Sequence, residues 1–217
     1  LQCTVALITL TSKLTLKAAK EIAGSLGKPS KMPGMSYGIS AKQCITGAKL
    51  AKIEGTVCSG CYALKANYSY PSVQKAHIKR ASSLNHPQWV EAMVTQIRAS
   101  KTGYFRWHDA GDLQSFQHLL NIVSVADKCP AVAFWLPTKE KQFISQYLEA
   151  FGTFPRNLIV RVSGAMIDGT RPDFAHVSTV TTDINKATCR AFENDNKCGN
   201  CRKCWNKDFN NVTYLKH

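Results

Sequence analysis

Cysteine is the residue whose spacing in this chain points most directly to chemistry. Cys44 is followed after thirteen residues by Cys58-Ser59-Gly60-Cys61-Tyr62, and Cys189 is followed after eight by Cys198-Gly199-Asn200-Cys201-Arg202-Lys203-Cys204. In the first group the two-residue gap lets both thiolates reach one metal centre, and Gly60 permits the backbone bend that aims them inward. Three cysteines without a nearby fourth leave two options, because a structural zinc site wants four ligands: a distant fourth ligand, or a cluster with one open coordination position. An open iron can bind a small molecule. Two plainer readings stand beside this one. Cys44 could be a buried free thiol, or Cys58 and Cys61 could join Cys201 and Cys204 in a single zinc site. In the second group three cysteines at successive two-residue gaps match a ferredoxin-like run, with Cys189 as fourth ligand. Four thiolates also satisfy zinc, so zinc is the alternative to a 4Fe-4S cluster there. Cys3 and Cys129 lie apart and read as core or surface thiols. Nine cysteines are unusual for a reducing compartment, where thiols are kept mainly for metals, redox work or nucleophilic chemistry, and the odd number fits a closed disulfide framework poorly.

Positioning these ligands falls to the elements around them. Leu14, Ala18, Ile22 and Leu26 recur at helical spacing until Gly27 and Pro29, and residues 27–61 show no sustained period of either kind. A structureless loop of that length is unusual inside a compact domain, so a metal is expected to order it. Residues 70–100 read as helix, broken at Asn85-His86-Pro87 and resumed with Val90, Met93, Val94 and Ile97 on one face. Residues 104–108, 131–136, 158–162 and 176–181 then read as strands, with helical faces at Phe116, Leu119, Leu120 and Val123 and at Phe143, Ile144, Tyr147 and Leu148. This alternation predicts βαβ units and a parallel sheet.

In such folds functional side chains sit beyond the carboxyl ends of strands. His108, Asp109 and Asp112, then Thr138, Lys139 and Glu140, then Ser163 and Asp168 occupy three such ends and are expected to converge. His108 and Asp112 are the candidate catalytic residues, and Arg106, Asp112, Lys139 and Ser163 the candidate cofactor-binding ones. The plainer reading makes the carboxylates loop caps, Asp112 serving the helix that starts at Ser115.

With 44% hydrophobic residues, the 217-residue chain can bury a full core. No run has the roughly 18 apolar residues a membrane span needs, and the apolar stretch over residues 1–10 lacks a basic region before it, so neither membrane insertion nor export is predicted. The chain starts at Leu1 and not at a methionine, which leaves room for a segment upstream. The formal charge is +14, from 28 Lys and Arg against 14 Asp and Glu, and suggests an anionic partner such as nucleic acid or a phosphorylated small molecule. Two cysteine-bound clusters would lower it to roughly +11. Lys42, Lys49, Lys52, Lys197, Arg202 and Lys203 are placed to offset them.

From about residue 28 onward the chain resembles the phage "gene product eighty-eight" family, through Ser30-Lys31-Met32-Pro33, Cys58-Ser59-Gly60-Cys61-Tyr62-Ala63-Leu64, Phe105-Arg106-Trp107-His108-Asp109, Gly111-Asp112-Leu113 and Cys198-Gly199-Asn200-Cys201. More distantly it is similar to radical S-adenosylmethionine proteins. In those, three cysteines hold a 4Fe-4S cluster whose fourth iron is chelated by the methionine part of the cofactor, inside a full or partial (β/α) barrel. Cys44, Cys58 and Cys61 correspond to the three cysteines, and Gly111-Asp112-Leu113 to the segment that contacts the cofactor's amino group. The first gap is thirteen residues here against three in that superfamily.

Together these readings predict an α/β protein: a small or incomplete (β/α) barrel of parallel strands over residues 1–184 and a cysteine-rich metal knuckle over 185–217. The expected function is that of a phage iron-sulfur protein with two 4Fe-4S clusters, located in the cytoplasm of an infected host cell. As an enzyme it would bind S-adenosylmethionine and need a reductant. The alternatives are a non-enzymatic iron-sulfur or zinc-stabilised protein that binds nucleic acid, and an electron carrier.

Overall fold

The computed structural model describes residues 14–216. Cys3 and the apolar run over residues 1–10 lie outside that range. Six parallel strands form one sheet in chain order: β1 (Met35–Tyr37), β2 (Tyr104–Trp107), β3 (Ala133–Thr138), β4 (Leu158–Ile167), β5 (Val177–Thr181) and β6 (Asn211–Leu215). The sheet is open, with β1 and β6 as its edges. Helices α1 (Leu16–Ala23), α2 (Ile45–Leu50), α3 (Pro71–Ser83), α4 (Trp89–Ser100), α5 (Phe116–Lys128) and α6 (Lys141–Phe151) precede or connect the strands.

Strand alternation sends one set of side chains to the helices and the other away from them. Phe105 and Trp107 of β2, Phe134 and Leu136 of β3, and Leu158, Val160 and Val162 of β4 share one core with Ala19 and Ala23 of α1, Met93 and Ile97 of α4, Leu119 and Ile122 of α5, and Ile144 of α6. The opposite face has its own cluster, built from Trp135, Ile159 and Val212 together with Cys204 and Trp205. The connection from β5 to β6 carries the last four cysteines. It covers, with short 3-10 turns at Ala191–Glu193 and Lys203–Trp205, the face that the helices leave open.

The α/β class and the parallel sheet are as expected. Residues 27–61 are not the irregular loop predicted, because they contain β1, a 3-10 turn at Ala41–Gln43 and α2. Three residues are too few to display a strand period, and β1 is held by pairing to β2 and by an antiparallel bridge between Gly27 and Ser36. β6 is likewise absent from the strands that the sequence predicts. It lies within the 185–217 segment and pairs with β5 from Val177–Asn211 to Thr181–Leu215. Among the described residues no helix is long and apolar enough to cross a membrane.

Arg161 sits in the middle of β4 with no exposure to solvent. Its guanidinium donates to the carbonyls of Cys204, Val177, Phe209, Lys203 and Asn206 at 2.7–3.3 Å, so one side chain ties the cysteine-bearing connection to the sheet. A buried guanidinium is tolerated only with such full satisfaction.

Candidate metal centres

The first cysteine group lies beyond the carboxyl end of β1, in a loop anchored to the end of β4. Val57 N donates to Ala165 O and Ile167 N to Gly55 O, both at 2.9 Å, around a bridge between Thr56 and Met166. The unexposed Thr56 hydroxyl donates to Leu50 O at 2.7 Å, and Ser59 N donates back to Thr56 Oγ1 at 3.1 Å, fixing the entry to the Cys58–Cys61 turn. Cys44 opens α2, whose Gly47 has no Cβ for a physical reason. An atom there would stand 2.9 Å from Cys44 Cβ, 3.5 Å from its Sγ and 3.6 Å from the Sγ of Cys58. Two thiols thus converge on a notch that any side chain at position 47 would fill. All three cysteines are half-buried and free. Burial, followed by the charges of Asp112, Cys61, Cys58 and Glu140, pushes the Cys44 thiol up to about 12. Cys58 is also raised, by burial first, with Lys139 opposing.

Three strand-end residues line this notch. Asp112 accepts from Thr138 Oγ1 at 2.6 Å, Lys139 N at 2.8 Å and Leu113 N at 2.8 Å, so it ties the β2–α5 loop to the end of β3. Gly111 makes that loop possible: its φ is +79°, and a Cβ would meet Ile39 Cγ1 at 2.4 Å. Glu140 accepts from Thr46 N at 2.9 Å and Thr46 Oγ1 at 2.8 Å, clasping the first turn of α2. Lys139 donates from Nζ to Gly164 O at 2.6 Å, and its charge is felt at Cys58.

The other candidates are placed differently. His108 packs edge-on against His118 of α5 at 5.4 Å between ring centroids, with both ring nitrogens buried and without a hydrogen-bond partner. Burial, then His118 and Arg106, holds its pKa well below the usual value, so the ring is neutral. Its φ of +52° is rare for a non-glycine residue. Ser163 shares a hydrogen bond with Ser178 across β4 and β5 at 3.1 Å. Asp168 accepts from Thr181 Oγ1 and from the Thr182 backbone and side chain, which makes it a cap between strand ends.

Asp112 yields a pH prediction. Burial lifts its pKa to about 6 from 3.8, against the pull of its Thr138, Lys139 and Leu113 donors. The folded state therefore holds the proton more tightly than the unfolded chain. Its contribution is full below the unfolded pKa and is lost as pH rises through about 6, amounting to about 3 kcal/mol. Metal-free protein should thus lose stability between pH 4 and 7 through this group. Denaturant titrations of the wild type and Asp112→Asn across that range should show a shallower pH slope in the variant, and identical slopes would refute the assignment.

The second group lies on the sheet face opposite the helices. Cys189, Cys198 and Cys201 are half-buried to exposed, and Cys204 is buried against Trp205, Trp135 and Ile159. Cys201 N donates to Cys198 O at 2.9 Å, and Cys198 N to Lys31 O at 2.8 Å. Burial, ahead of Cys189 and Cys201, raises the Cys198 thiol, while Arg106 and Arg202 pull it down. Cys204 is pushed up to about 11 by burial, although it shares a hydrogen bond with Tyr214 Oη at 3.2 Å. The thiols influence one another within each group, Cys44 with Cys58 and Cys61, and Cys189 with Cys198 and Cys204. That pattern speaks against a single zinc site shared between Cys58, Cys61, Cys201 and Cys204. Among the described residues no three His, Cys, Asp or Glu side chains form a ready-made metal cage. The donor chemistry nonetheless fits a metal: the seven thiols of the two groups are free, and the Gly47 notch keeps two of them facing the same space.

The family model described as Gene product 88 matches residues 9–211. The chain belongs to the phage gene product 88 family. The gene product 88 match takes in both cysteine groups and the strand-end residues between them. No curated protein and no solved structure gives a match.

Sequence reasoning missed Arg161, Trp135, Thr46 and Tyr214. A signal existed for Arg161, since a lone arginine inside the apolar run Leu158–Val162 must find partners. Nothing in the sequence links Thr46 to Glu140, 94 positions away.

Proposed function

We propose that this is a phage iron-sulfur protein acting in the cytoplasm of an infected cell, with two metal centres and an open iron at the first. Cys44, Cys58 and Cys61 hold one 4Fe-4S cluster, and Cys189, Cys198, Cys201 and Cys204 hold a second cluster, for which zinc is the alternative. The observation that supports the first assignment best is the Gly47 notch, where the thiols of Cys44 and Cys58 face one space beside Asp112, Lys139 and Glu140. The sheet supports it too. Six parallel strands in chain order, with the core helices on one face, are what a partial (β/α) barrel would have, whereas a doubly wound sheet has a permuted order and helices on both faces.

A three-thiolate cluster with an open iron would, once given an electron by an external reductant, supply reductive cleavage of bound S-adenosylmethionine. The chain's own residues do the positioning. Asp112 holds the β2–α5 loop against the notch, and its two oxygens retain acceptor capacity for an amine beyond the three bonds they already take. Lys139 places a positive charge beside Cys58, suited to stabilising thiolate there. His108, neutral and buried, packs against His118 of α5. Anaerobic reconstitution with iron and sulfide, in competition with zinc, should leave iron and acid-labile sulfide bound in proportion to clusters. Zinc alone in both centres would refute the reading.

Surface charge favours a second reading, that of an anionic partner such as nucleic acid or a phosphorylated small molecule. Lys42, Lys49, Lys52 and Lys65 around the first cysteine loop are exposed, and none is in an ion pair among the described residues. Single-stranded DNA or RNA should then bind with an affinity that falls steeply with salt, a log-log slope of several units. A flat response, or no binding at low salt, would leave these lysines as compensation for cluster charge.

A further inference from the structure

The second cysteine group is bracketed by two guanidiniums that make no ion pair among the described residues, although Asp109 acts on Arg106 from farther off. Arg161 is wholly buried and spends its donors on carbonyls, including that of Cys204. Arg106 stacks over the Trp135 ring at 4.5 Å, donates to Met32 Sδ at 3.7 Å and to Tyr62 Oη at 3.2 Å, and acts electrostatically on Cys198 and Cys204. Neither arginine lies within ion-pair distance of an acidic side chain among the described residues. Carbonyl and ring contacts satisfy their N–H groups but carry no full negative charge, so an anionic group beside two shielded cations is favoured.

Two further donors point the same way. Arg106 Nε and Trp135 Nε1 are both shielded from solvent without an acceptor, and Trp135 packs in the same cluster as Cys189 and Cys204. Buried N–H groups rarely stay unpaired. Four thiolates around zinc, or around a 4Fe-4S core of charge two plus, carry two negative charges in excess and present sulfur acceptors. Such a centre attracts both arginines, as well as Arg202, which also acts on Cys198.

We infer that Arg106 and Arg161 are the counter-charges of a doubly negative tetrathiolate centre at Cys189, Cys198, Cys201 and Cys204, with Arg106 and Trp135 as its outer-sphere donors. Arg106 is then a positioning residue with two allegiances, since its other contact, Tyr62, directly follows Cys61. The inference rests on the reading of this group as a metal centre, but holds for zinc and for iron-sulfur alike.

The test is the rate at which a chelator strips metal from the full-length chain carrying Cys58→Ala, which reports the second centre alone. Adding Arg106→Gln should speed release about 10- to 100-fold, the usual effect of removing an outer-shell partner. Arg106→Lys, which keeps the charge, should recover most of the loss, and Trp135→Phe, which keeps the ring and removes the N–H, should speed release several-fold. A merely structural Arg106 would make Gln and Lys equivalent, and that result overturns the inference. So does unchanged release in both Arg106→Gln and Trp135→Phe. If Arg106→Gln does not fold, the Trp135→Phe rate decides alone. A parent protein that binds no metal at this centre would instead sink the underlying reading, a distinct outcome.

Discussion

Cys58→Ala is expected to reduce 5′-deoxyadenosine release from S-adenosylmethionine to the background rate while leaving the sheet folded. Cys58 is one of only three thiols in its group, and its Sγ shares the Gly47 notch with that of Cys44. Two cysteines cannot retain a cubane that has three protein ligands in the intact chain. The fold should survive because the loop is held independently, by its bridge to β4 at Thr56–Met166 and by the Glu140 clasp on Thr46. Iron analysis, product chromatography and circular dichroism on one preparation check all three parts. Full cofactor cleavage in the variant would remove this group from the chemistry.

Cys201→Ser should have a different signature, a structural one. Four thiolates saturate the second centre, and its loop carries no helix or strand of its own between β5 and β6 beyond two 3-10 turns. Metal binding there doubles as folding energy. Losing one ligand should release the metal and destabilise the protein strongly, by about 4 kcal/mol or more. The effect should spread to β6, because Cys204 and Trp205 pack against Val212 and Trp135. Metal content by mass spectrometry and hydrogen exchange over β6 measure both consequences. Retained metal with unchanged protection would refute the assignment.

The parts of the fold that could be read from the sequence are those with long apolar periods. Met93, Val94 and Ile97 of α4 and Leu119 and Val123 of α5 are buried on the faces their spacing indicates, and β2, β3, β4 and β5 appear within a few residues of the apolar runs. β1 and β6 escaped because three residues, and five with asparagine and threonine among them, carry little periodic signal. The convergence of strand ends was legible in part. Asp112, Lys139 and Glu140 do meet the first cysteine group, whereas Ser163 and Asp168 bond to β5 or the residues just after it, and His108 turns toward His118. Those differences depend on the left-handed backbone at His108 and on contacts between distant segments, which neighbouring residue types do not reveal.

The open iron is the central claim, and the electron paramagnetic resonance spectrum of the reconstituted, reduced protein tests it most directly when recorded with and without S-adenosylmethionine. With three thiolates at Cys44, Cys58 and Cys61, the signal of the first cluster should change on adding the cofactor. The signal from the second centre, isolated in Cys58→Ala, should not. A spectrum that is the same in both conditions would contradict the account.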